Sequence, residues 1–187
     1  MQDPLVWRVI SQEAAHDYRI FQTRWVKAVH PTTGDVRKFV VLDSTDWVNV
    51  IALTPDDEVV LIRQFRAGTN QVELEIPGGM VDPGEDPRAA AERELREETG
   101  YVASSWRSLG VVRPNPAIQG NRLHTFLALD AVPRDTPTFD AGELCETETR
   151  SLASVTEMLR EGTIDHALVV NAFTHLMLAT GGSLRRP

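Results

Sequence analysis

The chain has 187 residues, 42% hydrophobic and 25% charged, with a formal net charge of −8. This composition excludes fibrous and disordered polymers, and the length suffices for one domain with an extension and a buried core. The acidic balance argues against a broad nucleic-acid surface, which needs a basic stripe, but a metal and a few local arginines can still admit a small nucleotide.

Residues 17–29 and 36–43 read as two strands around a turn, His30-Pro31-Thr32-Thr33-Gly34-Asp35. Val48 to Leu53 and Val59 to Phe65 form a second pair around Thr54-Pro55-Asp56-Asp57, and Val72 to Ile76 is a short strand leading into a Gly-rich loop. Asp86-Pro87 then starts a helix, with a side-chain acceptor followed by a residue whose fixed φ suits the first turn. Ala89, Ala90 and Ala91 favour that helix, and Gly100 supplies its left-handed stop. Further strands are expected at 106–112 and 123–129, with His124 as a strand residue, and a last strand at Thr147 to Leu152. Ser154 and Glu157 read as a capping box opening a helix that Gly162 closes. A final helix runs from about Asp165 to Leu178 with Leu168, Val169, Ala172, Phe173 and Leu176 as its apolar stripe. Strands interleaved with a few helices indicate an α/β sandwich, a mixed sheet between helices.

Cys145 is the only cysteine. It excludes an intramolecular disulfide, suits a reducing cytoplasm and reads as a small buried side chain. No apolar run reaches membrane-spanning length, and the stretch containing Asp3, Pro4 and Arg8 is not expected to be a signal peptide.

The most informative segment is GMVDPGEDPRAAAERELREETGY, Gly79 to Tyr101. Glu94 and Glu98 stand one turn apart on one face of its helix, with Glu97 beside them. Like charges at that spacing weaken a helix unless compensated, and divalent cations with hard oxygen ligands supply the compensation. Ala91 and Leu95 can face the core. Glu92 with Arg96 and Arg93 with Glu97 also form i,i+4 pairs, as on a solvated helix. The Ile76-Pro77-Gly78-Gly79 turn and Glu85 at its fixed distance tip the reading to a catalytic metal site.

Gly79, Glu85, Arg93-Glu94-Leu95, Glu97-Glu98 and Gly100 stand at the spacing of a complete Nudix box, and the chain resembles the Nudix hydrolases, which cleave nucleoside diphosphates linked to another moiety. The resemblance implies an α/β/α sandwich with a mixed sheet over residues 46–187. It also implies that residues 1–45 are a β extension serving dimerisation and the substrate site. Gln64-Phe65-Arg66 and Glu73-Leu74-Glu75-Ile76-Pro77-Gly78-Gly79 are similar to the approach to the box in the ADP-ribose and nucleoside-diphosphate-sugar branch. Pro116, with Pro114 before it, stands where that branch carries a proline, and Gly142-Glu143-Leu144-Cys145-Glu146 is similar to its acidic catalytic loop. Pro116-Ala117-Ile118-Gln119-Gly120-Asn121 lacks the glycine and acid that usually follow that proline in ADP-ribose enzymes. This favours a nucleoside diphosphate sugar with broad choice of base and sugar.

The expected cofactor is Mg²⁺, or Mn²⁺, which neutralises the phosphoanhydride and sharpens the attacking water. Its ligands are expected to be Glu94 and Glu98, with Glu97 and Glu85 completing or bracing the cluster and the Gly78 carbonyl implied by the resemblance. Arg93 is expected to tie the loop to the helix. Arg66 is the choice for a phosphate contact, against a solvated strand end. The base implied by the branch is Glu143, with Glu146 and Asp140 as alternatives, and it deprotonates the water that releases a nucleoside monophosphate and a sugar phosphate. Phe21, Trp25 and Trp47 can stack on a nucleobase or fill the core. Arg37 reaches a phosphate across a homodimer interface only by analogy. The rival readings are a house-cleaning nucleoside triphosphate pyrophosphohydrolase and a non-catalytic nucleotide-sugar sensor. The extension and Pro116 weigh against the first, and the complete glutamate set against the second.

Overall fold

The computed structural model describes residues 3–139 and 144–187. They divide into two units, Met1–Thr45 with Arg113–Arg122, and Asp46–Val112 with Leu123–Pro187. In the first unit β1 (Arg8–Asp17), β2 (Gln22–Val29) and β3 (Val36–Asp43) form an antiparallel sheet in the order β1-β2-β3. The sequence suggests a hairpin with one strand over 17–29. Instead β1 ends at Asp17, and the chain turns through 18–21 with Arg19 in the left-handed region at φ 72°. Periodicity misses β1 because nearly every residue of it is exposed, so no apolar face alternates along it. The 113–122 segment joins this unit through Leu42 N–H donating to the Ile118 carbonyl at 2.8 Å and Asn121 Nδ2 donating to the Thr45 carbonyl at 3.2 Å.

The second unit holds β4 (Trp47–Leu53), β5 (Glu58–Arg66), β6 (Gln71–Glu75), β7 (Gly78–Met80), α1 (Pro87–Thr99), β8 (Tyr101–Val102) and β9 (Ser105–Val112). After these come β10 (Leu123–Leu129), β11 (Val132–Pro133), β12 (Cys145–Ser151), α2 (Leu152–Glu161) and α3 (Ala167–Ala179). The main sheet runs β12-β5-β4-β10-β9, with β6 on β5 and β7 on β4. It is mixed, because β10 lies parallel to β4 while its other pairings are antiparallel. β4 is buried along almost its whole length, as an apolar run without alternation requires.

Alternate residues of β4 separate two cores. Val48, Val50 and Ala52 pack with Ala90, Ala91 and Leu95 of α1, whereas Ile51 and Leu53 pack with Val155 of α2 and Val169, Phe173 and Leu176 of α3. The sheet is thus sandwiched between α1 and the α2–α3 pair, the expected α/β/α layering.

Two local details differ from the sequence reading. The cap of α2 is Ser151, whose Oγ accepts the Ser154 N–H at 3.2 Å, so no Ser154–Glu157 box forms and Glu157 pairs with Arg160. Strand β12 runs straight into α2 and leaves Ser151 as the only hydroxyl in capping register. Arg96 pairs with Asp135 at 2.7 Å rather than with Glu92, which Arg88 takes at 2.9 Å. Among the described residues no helix is long and apolar enough to cross a membrane.

Candidate active site

Helix α1 begins and ends as its sequence dictates. Asp86 Oδ1 accepts the N–H groups of Arg88 and Ala89 at 2.9 and 3.4 Å, Pro87 opens the first turn, and Gly100 closes the last at φ 72°. Ala91 and Leu95 are fully buried, which fixes the rotation of the helix. Two of its glutamates, Glu94 and Glu98, consequently turn toward the Gly78–Gly79 turn of β7. Glu98, 6% exposed, accepts the Gly78 N–H at 2.9 Å. Glu94 lies against Gly79 so closely that a Cβ there would sit 2.3 Å from Oε1. Gly78 is tight for another reason: a Cβ would sit 2.4 Å from the Val48 carbonyl oxygen and 2.9 Å from the Asn49 Cα, both backbone atoms of β4.

Arg93 organises the remaining carboxylates. Its Nε and Nη2 donate to Glu85 at 3.0 Å, Nη1 donates to Glu94 at 2.9 Å and Glu97 at 3.1 Å, and Nη2 also reaches the Met80 carbonyl at 3.0 Å. The loop is thereby tied to the helix. These bonds, chiefly that to Glu85, raise the Arg93 pKa, and Arg93 holds the Glu85 carboxyl below its ordinary range. Among the described residues no three acidic, His or Cys side chains converge at metal-holding distance, because the guanidinium stands between Glu85, Glu94 and Glu97.

The donor chemistry nevertheless fits a divalent cation. Arg93 joins three carboxylates, Glu85, Glu94 and Glu97, while Glu94 and Glu98 lie against the Gly78–Gly79 turn, Glu94 in the space that Gly79 leaves and Glu98 on the Gly78 N–H. Hard oxygen donors in acidic surplus suit Mg²⁺. A cavity of about 480 Å³ lies beside the last turns of α1, lined by Arg93, Arg96, Glu97, Asp135, Thr136 and Thr138.

Arg66, at the end of β5, bonds Glu75 through Nε at 2.6 Å and Nη2 at 3.0 Å. Glu75 also accepts from His166 Nδ1 at 2.9 Å, an interaction between residues 91 apart that sequence reasoning missed because no local signal links them. Burial pushes the Glu75 carboxyl up, but the hydrogen bonds and charges of His166 and Arg66 outweigh it and hold the pKa at about 2.

The other expected residues are distributed as follows. Glu143 and Asp140 lie outside the described residues. The Thr138 N–H donates to the Glu97 carbonyl at 2.8 Å, and Cys145 Sγ donates to the Glu98 carbonyl at 3.3 Å. Cys145 and Thr147 both point at that Glu98 carbonyl, so Glu146 faces the opposite side of β12, where Arg63 takes it at 2.8 Å. The structure does not bring Glu146 to the box. Trp47 opens β4, half-buried and paired with Met80 of β7. Arg37, Phe21 and Pro116 belong to the first unit. Arg37 is exposed on β3, Phe21 packs on Tyr18 with ring centroids 5.0 Å apart, and Trp25 carries Lys38 Nζ 4.0 Å above its ring.

The NUDIX domain family model matches residues 44–173. The chain is 27% identical to the ADP-ribose pyrophosphatase of Bacillus subtilis over 155 residues, 82% of this chain and 84% of that one. It is equally 27% identical to the methanol dehydrogenase activator of Bacillus methanolicus, over 91% of this chain and 95% of that protein. The crystal structure of an ADP compounds hydrolase superposes with a TM-score of 0.84 at 24% identity, covering 97% of this chain and 99% of that one, which shows the fold. With the box residues arranged around Gly78, Gly79 and Arg93 and the family model spanning most of the sequence, the chain belongs to the Nudix family.

Proposed function

We propose that this protein hydrolyses the diphosphate linkage of nucleoside diphosphate sugars, ADP-ribose-like compounds included, to a nucleoside monophosphate and a sugar phosphate. The observation that carries the reading is the arrangement of Glu94 and Glu98 against Gly79 and Gly78, with Arg93 bracing Glu85 and Glu97. Relatives named ADP-ribose pyrophosphatase in Bacillus subtilis and ADP-sugar pyrophosphatase in Mus musculus support the substrate class.

Glu94, Glu98, Glu97, Glu85 and the Gly78 carbonyl would hold Mg²⁺ or Mn²⁺, which when bound supplies charge neutralisation at the diphosphate and a more acidic water. Arg66 contacts a phosphate oxygen. Its anchor on Glu75 supports this role, because a guanidinium already oriented loses less freedom on binding. Glu143 takes the proton of the attacking water. In support, both sides of its segment are bonded to neighbouring carbonyls of α1, Thr138 to Glu97 and Cys145 to Glu98.

The first unit serves as a homodimer interface and helps complete the substrate site, with Arg37, Phe21 and Pro116 contributing there and Trp47 on the core side. Support comes from its exposed Trp25, Val36, Phe39 and Val40, large apolar groups on a sheet of three strands. The buried Cys145 thiol suits a cytoplasmic protein. The test is a product assay across ADP-ribose, UDP-, GDP- and ADP-sugars and nucleoside triphosphates. Nucleoside monophosphate with sugar phosphate is expected from the sugars. Pyrophosphate release from triphosphates alone would point to the house-cleaning reading, and turnover of none to the sensor.

A further inference from the structure

Glu75 is only 3% exposed, yet it collects three donor contacts from two basic side chains that are far less buried. The Arg66 side chain is 42% exposed and that of His166 37%. Arg66 Nη2 and His166 Nδ1 bond the same oxygen, Oε2, at 3.0 and 2.9 Å, which holds the two nitrogens within about 6 Å of each other. A carboxylate ionised down to about pH 2 can only accept, so His166 Nδ1 carries the proton of that bond. In the neutral imidazole the opposite nitrogen, Nε2, then presents a lone pair from a half-exposed ring.

His166 occupies the N-cap of α3 but makes no side-chain cap bond, so its ring is committed to Glu75 and not to its own helix. The uncapped first turn adds positive potential beside it. Two residues on, the Leu168 carbonyl accepts Asn49 Nδ2 at 3.0 Å, and Asn49 is the register partner of Gly78. Glu75 itself lies three residues before Gly78. The cluster is thus linked to the Gly-rich turn of the box along the chain from Glu75 to Gly78 and through the Leu168–Asn49 hydrogen bond and the Asn49–Gly78 register.

We infer that Arg66 and His166 form one subsite, organised by Glu75, for the sugar-phosphate half of the substrate: Arg66 takes a phosphate oxygen and His166 Nε2 accepts a sugar hydroxyl. The shared Glu75 carboxylate holds the two basic side chains side by side, each with part of its surface open to solvent. The inference rests on the nucleotide-sugar reading for its substrate, and Glu75 acts in it as a positioning residue.

The test is calorimetric binding to the full-length chain of ribose 5-phosphate and of methyl phosphate, which keeps the anion and lacks the hydroxyls. The wild type is expected to prefer ribose 5-phosphate by about tenfold, the worth of one added hydrogen bond. In His166→Asn, Nδ2 can replace Nδ1 toward Glu75 and nothing replaces Nε2. It should lose that preference with methyl phosphate affinity unchanged, whereas His166→Gln, with an oxygen near the Nε2 position, should recover part of it. Arg66→Gln should weaken both ligands. On a nucleotide sugar, His166→Asn should raise KM with kcat nearly constant. Equal affinity of the wild type for the two ligands, or equal loss of both in His166→Asn, overturns the subsite. If no nucleotide sugar is turned over, the proposed function fails, and the binding comparison decides the subsite by itself.

Discussion

Gly79 and Glu94 occupy one space: the carboxylate of Glu94 fills the volume that a side chain at position 79 would need, with Oε1 2.3 Å from the place of a Cβ. Gly79→Ala must therefore displace Glu94. The expected result is a weakened metal requirement site, seen as a rise of about tenfold or more in the Mg²⁺ concentration for half-maximal activity, with a small stability change. Gly78→Ala meets backbone instead, at the Val48 carbonyl, and should cost about 1–3 kcal/mol of stability in denaturant unfolding. An unchanged Mg²⁺ titration in Gly79→Ala would remove Glu94 from the ligand set.

Hydrolysis should require a divalent cation and should cease in excess EDTA. Glu98→Gln keeps an acceptor for the Gly78 N–H and removes the charge, so the fold should persist while turnover is almost lost. Circular dichroism and product release measured on the same preparation separate the two effects. Full activity of this variant would falsify the assignment of Glu98 as a ligand.

The Glu75 carboxyl, ordinarily near 4.5, is held at about 2 in the folded protein. A depressed folded pKa adds stability that is complete above the unfolded value and disappears as pH falls from 4.5 through about 2. The contribution is on the order of 3 kcal/mol at neutral pH. Glu75→Gln should lower neutral-pH stability by about 2–3 kcal/mol and flatten the acid limb of the stability curve. A parallel acid limb in wild type and variant would show that other carboxylates set it.

Glu143→Gln should retain metal and substrate binding and turn over about 10²–10⁴-fold more slowly, the usual contribution of a positioned base. Glu146→Gln should be close to wild type, because Glu146 faces Arg63 on the side of β12 away from α1. The reverse ranking of the two variants, read by single-turnover kinetics, would move the base to Glu146.

A homodimer is expected at micromolar concentration, through the sheet of β1, β2 and β3. Analytical ultracentrifugation that shows a fully active species of 20.8 kDa, the mass of one chain, rules it out. Mixing Arg37→Ala with Glu98→Gln tests a shared site: mixed dimers should regain activity beyond either parent, and no gain means that each site is complete within one chain.

The box helix was legible because its determinants are local. Asp86, Pro87 and Gly100 act within one turn of the residues they cap, and the spacing of Glu94 and Glu98 follows from 3.6 residues per turn. Central strands such as β4 announced themselves by apolar runs, since burial on both faces writes itself into composition. Exposed β1 carries no such imprint, and the choice between Ser151 and Ser154 as cap depended on where β12 ended.

What only the tertiary structure decided is which distant groups meet. Arg93 was expected to tie the loop to the helix; the packing adds that its one guanidinium gathers Glu85, Glu94 and Glu97 together. Glu146 is turned away by the two-residue period of a strand whose phase is set by Cys145 on α1. Glu75 finds His166 across 91 residues, through the packing of α3 on the sheet. Caps and helical spacing act over a few ångströms of chain and can be read from it. Contacts between elements depend on register and packing, which many residues fix together and no single stretch encodes.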